Sequence, residues 1–203
     1  YNHSLAIQED GRVIAWGGDW EGITNVPPNL TNAVTIAAGS VHNLAVLRSG
    51  SVRVWGDLTH NQSSIPIDLT NAVDCAATMA GGYPYSVALR TDGTVAAWGQ
   101  FQEMWRTNYL SGLTDVVAIG VGDGDGVILA LKSNGTIQGW DLSSYGPLSI
   151  PDGLSNIVEI ALGWRHCLAL RSDGTVVGWG DNSQGQITIP TDLTNVVAIS
   201  AGV

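Results

Sequence analysis

Cysteine, lysine and basic charge are all scarce in this 203-residue chain, and each scarcity removes a class of protein. Its two cysteines, Cys75 and Cys167, are too few for a disulfide framework and are not spaced as a metal-ligand set. Eight Lys and Arg stand against 18 Asp and Glu, a formal net charge of −10 that repels phosphate backbones and anionic lipid. Nucleic acid and membrane surfaces are therefore not expected as partners. Nowhere do about 18 apolar residues run without a charge or a Gly-Asp break, so membrane insertion is not expected either. Residues 1–10 lack the basic start and hydrophobic run of a leader peptide. Linear signatures of catalysis are missing too: no Gly-x-Ser-x-Gly elbow, no His-Glu-x-x-His, no phosphate-binding Gly-rich loop, and only one lysine, Lys132. The expectation is a chain that is not an enzyme, with no catalytic residue, no cofactor and no metal. A hydrophobic share of 44% with 13% charged residues excludes disorder and suffices for a substantial core.

What the chain does have is a repeat. Tryptophan recurs in one context at Trp16, Trp55, Trp98, Trp140 and Trp179, at spacings of 39, 43, 42 and 39 residues. Continuing from Trp179 through the two chain ends to Trp16 takes 40 more. A strand-like run precedes each Trp, and a second apolar run lies upstream: Leu5-Ala6-Ile7, Leu44-Ala45-Val46, Val87-Ala88-Leu89, Leu129-Ala130-Leu131 and Leu168-Ala169-Leu170. Between them sit Asp10-Gly11, Ser49-Gly50, Asp92-Gly93, Asn134-Gly135 and Asp173-Gly174, which predict a two-residue hairpin turn with positive φ angles. A third strand, ending near Ile36, Cys75, Ile119, Ile160 and Ile199, precedes the hairpin. A short fourth strand is expected after each Trp, ending at Pro27, Pro66, Pro151 or Pro190 in four repeats, because proline belongs on a sheet edge. A linker of Leu-Thr-Asn type then leads onward.

Four short antiparallel strands per unit of about 40 residues predict an all-β fold, a β-propeller of five blades. The expected organisation is a single domain over 1–203. Its repeats run roughly 1–36, 37–75, 76–119, 120–160 and 161–199, with 200–203 closing onto the first. The two chain ends would then share one blade.

Residues 3–17, with His3-Ser4-Leu5-Ala6-Ile7 and Val13-Ile14-Ala15-Trp16-Gly17, and residues 166–186 carry the pattern most fully. This pattern resembles the regulator-of-chromosome-condensation repeat. The likeness runs over essentially the whole chain and is looser in repeats three and four, where Tyr85 and Val127 replace the family's His. The resemblance implies a propeller, usually with seven blades and longer repeats. In style the compact spacing is most similar to the bacterial secreted branch of the family, that of the β-lactamase inhibitory proteins. It thereby implies a protein partner and an extracellular or cell-surface location.

Strand order places the loop before the hairpin and the loop after the Trp on one face. That face is expected to carry Trp20, Tyr83, Tyr85, Phe101, Trp105, Tyr109, Tyr145, Trp164 and Arg165. Large aromatics and Arg are the residue types of binding hot spots, so these nine form the candidate partner-binding set. Sugar stacking by the same aromatics is the alternative, and a purely structural spacer role is another. The repeating tryptophans, by their period, are expected to be packing residues. His3, His42 and His166 share one repeat position in different blades and are expected to make structural hydrogen bonds. Gly122-Asp123-Gly124-Asp125-Gly126 reads as a glycine-rich turn rather than a cation loop, and both cysteines read as small core residues.

Overall fold

A computed structural model describes residues 2–80, 82–99, 110, 112–122, 126–141, 146–147 and 149–202. All regular structure among the described residues is β-strand, and no helix there is long and apolar enough to cross a membrane. The chain divides into two compact units, residues 1–114 and 115–203.

The first unit holds β1 (His3–Ile7), β2 (Val13–Gly17), β3 (Ala33–Ala38), β4 (His42–Leu47), β5 (Val52–Gly56), β6 (Ala72–Ala80), β7 (Tyr83–Arg90) and β8 (Val95–Gly99). They form three antiparallel sheets ordered β1-β2, β3-β4-β5 and β6-β7-β8. The second unit holds β9 (Val116–Val121), β10 (Val127–Lys132), β11 (Ile137–Asp141), β12 (Gly146–Pro147), β13 (Ile157–Leu162), β14 (His166–Arg171) and β15 (Val176–Gly180). Its sheets run β12-β11-β10-β9 and β13-β14-β15.

Middle strands are apolar on both faces where neighbouring sheets of the same unit cover them. In β4 the run Leu44-Ala45-Val46 is fully buried, the near-continuous hydrophobic pattern of a strand with two covered faces. Leu44 and Val46 face a cluster that includes Val52, Leu69, Ala88 and Trp98, whereas Ala45 faces one that includes Val13, Leu30 and Trp55. Alternate residues of one strand thus join successive blades. In the second unit Leu129, Leu131, Ile157, Ala169 and Trp179 make the equivalent core.

The innermost strands share a defect. Pairing shifts by one residue between Ala33 and Thr35, Ala72 and Asp74, and Ile157 and Glu159, and likewise where β9 meets Leu131 and Lys132. The extra residue of each bulge is a valine, Val34, Val73, Val117 or Val158, that is about half exposed.

Three expectations need correction. The hairpin turns have three residues rather than two: Leu47 N donates to Ser51 O and Gly50 N to Leu47 O, so Arg48, Ser49 and Gly50 form the loop. Only the glycine has positive φ, as in Gly11, Gly50, Gly93, Gly135 and Gly174, the arrangement of a type I turn closed by a left-handed residue. The preceding Asp or Asn plays another part. Asp92, Asn134 and Asp173 accept from both the amide and the hydroxyl of the threonine two residues on.

The fourth strand is the second correction. Among the described residues only β12 occupies that position, two residues long; Pro27 and Pro66 instead open turns, with Leu30 N donating to Pro27 O and Leu69 N to Pro66 O. A chain that turns at a residue without an N–H cannot extend the ladder. Third, the shared blade is not observed: β1 and β2 make a two-stranded sheet, and residues 196–202 carry no ladder. That last segment lies beside β13, where Ile199 N donates to Glu159 Oε2 at 3.3 Å.

Candidate functional site

Successive repeats of the first unit are joined by two kinds of polar contact. The indole of Trp55 donates to Ile23 O at 3.0 Å and that of Trp98 to Gln62 O at 2.8 Å. Each acceptor lies seven residues after the preceding repeat's Trp. Four of the repeating tryptophans, Trp55, Trp98, Trp140 and Trp179, are buried as expected, but Trp16 is 53% exposed. Trp16 lies in the two-stranded sheet β1-β2.

Histidines make the second contact. His3 Nε2 meets Asn43 Oδ1 at 2.7 Å, and His42 Nε2 meets Ser86 Oγ at 2.8 Å, so each reaches the residue after the corresponding position one repeat on. Asn43 in turn donates to Ile23 O at 2.7 Å. These roles are structural. Among the described residues no group of His, Cys, Asp and Glu is arranged to hold a metal. Burial holds the His42 imidazole down to about 4, the nearby Asp57 carboxylate opposing the shift.

Because His42 binds its proton less readily folded than unfolded, protonation opposes folding. Stability is therefore fully present above the ordinary histidine range near 6.5 and falls as the pH drops from there to about 4. The expected loss is on the order of 3 kcal/mol. Denaturant melts of the wild type and His42→Gln between pH 7 and pH 4 check this; a wild type with no extra acid sensitivity over the variant would contradict it. The thiols are equally confined: burial pushes Cys167 up to about 12 and Cys75 higher still, which keeps both protonated and inert.

The loops built on this frame carry the candidate surface. In repeats one, two and five the loop after the Trp is anchored at its base by a main-chain bond to the segment preceding the hairpin's first strand: Gly18 N to Asn2 O, Asp57 N to Val41 O, and Asp181 N to Arg165 O. In repeats two and five the next turn is the same. Asp57 accepts from the Thr59 amide and hydroxyl, and Asp181 from the Ser183 amide and hydroxyl. Repeat one departs, placing Gly18 where those repeats have Asp, and Trp20 where they have Thr or Ser.

Trp20 is 75% exposed on this loop. It borders a cleft of about 440 Å³ whose other lining residues are Asn2, Gly18, Asp19, Ile23, Ser40 and Val41. Asp19 Oδ1 accepts the Thr24 amide at 3.1 Å, and Trp20 O accepts the Ile23 amide. Hydrogen bonds from Thr24 hold the Asp19 carboxyl below its usual range, so it is ionised at neutral pH. Sequence reasoning found Trp20 but missed Asn2, Gly18 and Asp19. The available signal was the local break in the repeat.

In the second unit the loop between β13 and β14 presents Trp164 and Arg165. Trp164 is 53% exposed, and the Arg165 guanidinium lies 5.0 Å from its ring centroid, a cation–π pair. Tyr83 is partly buried at the start of β7. Tyr85 is a correction: only 1% exposed, it belongs to the interior and not to a partner face. The β6–β7 ladder extends to the pair Ala80 and Tyr83, and this turns the expected loop into strand. Phe101, Trp105, Tyr109 and Tyr145 lie outside the described residues, as do Asp123, Gly124 and Asp125.

The repeated antiparallel sheets are similar to those of an RCC1-like β-propeller fold. The regulator of chromosome condensation (RCC1) repeat matches at residues 33–62 and 157–186. Among solved structures, Prp20p of Saccharomyces cerevisiae is similar over 94% of this chain, at 21% identity and a TM-score of 0.70. Human WBSCR16 is similar over the full chain, at 19% identity and a TM-score of 0.70. The ectodomain of receptor kinase CR4 from Physcomitrella patens is similar over 99%, at 16% identity and a TM-score of 0.64. The chain spans 58% of Prp20p, 68% of WBSCR16 and 54% of CR4. No curated protein matches it. Prp20p is described as binding Gsp1p and histones, and yeast RCC1 (Prp20) has also been solved bound to Kap60.

Proposed function

We propose that the chain is a non-enzymatic protein-binding module that takes its partner on the loops between the innermost and middle strands and after the repeating Trp. The observation that carries this reading is the Trp164–Arg165 pair: a large aromatic and a stacked guanidinium, both exposed, on a loop held between two paired strands. Residues of these two types are enriched among the few that carry most of an interface's binding energy. Likeness to a propeller that binds Gsp1p, histones and Kap60 supports a protein as the partner class.

Affinity capture from extract and secretome of the source organism, with wild type beside Trp164→Ala, tests it. One protein retained by wild type and weakened about 30-fold or more by the substitution, at unchanged melting temperature, is the expected result. Equal retention by both would sink the reading.

A further inference from the structure

The repeat-one loop combines three features that the equivalent loops of repeats two and five lack, and all three serve the cleft. Gly18 removes a side chain at its wall: a Cβ there would stand 3.4 Å from Asn2 O and 3.5 Å from Asn2 Cβ. The one-residue delay of the acid, from the second place after Trp16 to Asp19, sets the carboxylate among the lining groups. Trp20 then replaces a hydroxyl that elsewhere folds back onto its own loop. The scaffold contact of this loop is nevertheless kept, since Ile23 O still receives Trp55 and Asn43. The loop thus keeps its structural bond while its cleft-lining residues Gly18, Asp19, Trp20 and Ile23 all differ from their counterparts in repeats two and five.

The chemistry of those groups selects the ligand. An exposed indole offers a flat apolar face for a ring whose C–H groups lie on one side. An ionised carboxylate accepts two hydroxyl donors at once, and the Asn2 amide both donates and accepts. Asp19, on a chain of formal net charge −10, repels anions. A volume of about 440 Å³ falls within the range of small-molecule sites. We propose that this cleft binds a neutral pyranose ring of an oligosaccharide, stacked on Trp20 with its hydroxyls on Asp19 and Asn2. The site goes beyond the protein-docking reading and uses different residues from the Trp164–Arg165 pair.

The test is saturation-transfer NMR on the full chain with cellohexaose, chitohexaose and xylohexaose as probes and choline as a cation control. Wild type is compared with Trp20→Ala, with Gly18→Asp, which restores the residue found at Asp57 and Asp181, and with Trp164→Ala. Melting temperatures check that each variant is folded. The expected result is transfer to at least one hexaose that falls tenfold or more in both Trp20→Ala and Gly18→Asp and is unchanged in Trp164→Ala. No transfer to any hexaose overturns the proposal, as does transfer that survives Trp20→Ala. Transfer to choline alone overturns the sugar assignment. Protein capture reads out at Trp164 and sugar binding at Trp20, so either reading can fail without the other.

Discussion

Trp98→Ala is expected to lower stability by about 3–5 kcal/mol, the range for emptying a buried aromatic site. Trp98 is 4% exposed and packs with Leu44, Val46, Leu69 and Ala88 across two blades. The substitution also strips Gln62 O of its buried donor. Two companion variants separate the contributions. Trp98→Phe keeps most of the apolar volume and loses the indole bond, and is expected to cost about 1 kcal/mol for that bond beyond any packing change. Trp16→Ala, at the same repeat position but half exposed, is expected to cost well under half as much as Trp98→Ala. Urea melts of the three check the order; equal losses at Trp16 and Trp98 would refute the role given to the junction.

The second large effect is expected at Gly50. Its φ of +81° lies in the left-handed region, which costs a residue with a Cβ about 1–2 kcal/mol. Space is the larger difficulty. A Cβ at Gly50 would collide with the Thr70 carbonyl oxygen and stand 2.8 Å from Asn71 Cα, and both are main chain. That same linker is fixed by Ala72 N donating to Gly50 O at 2.9 Å. Gly50→Ala is therefore expected to lose roughly 2–5 kcal/mol, strain and overpacking together. Gly82 has a similar φ of +88° with nothing within 4 Å of a Cβ, so Gly82→Ala is expected to show the strain alone. Thermal melts that place the two variants level would show that the linker yields.

Much of the blade could be read in the chain because its period is short and its punctuation regular. Trp-Gly after a strand, Asp-Gly in the turn and alternating apolar runs each answer to one local physical demand. Where that reading failed, the deciding term was not local. A three-residue turn rather than a two-residue one depends on whether Asp92 and Asp173 cap the following threonine or enter the left-handed region themselves, and the same residue types permit both. The prolines were expected to end an edge strand, yet Pro27 and Pro66 open turns with no strand before them. Tyr85 looked like a loop aromatic because it stands where other repeats have His; burial at that register, already implied by His42, outweighed its residue type. The cleft was hardest to see. Trp20 stands out in any composition count, but Gly18 and Asp19 acquire meaning only when repeat one is laid against repeats two and five.

The histidine contacts have a consequence for how such a chain can change. His3 is matched by Asn43 and His42 by Ser86, one repeat further on. Where Tyr85 and Val127 take the histidine's position, Ile128 and Cys167 take the positions that would have answered it. Each repeat is thus written with its successor in view, like one half of a matched edge, and the blades are alike in shape without being exchangeable. Moving a blade that presents Ile128 to follow one that presents His42 would leave the imidazole Nε2 without the hydroxyl it now meets. Copying or deleting a blade is therefore expected to cost least where the flanking edges still agree, which ties the order of the repeats to these pairings.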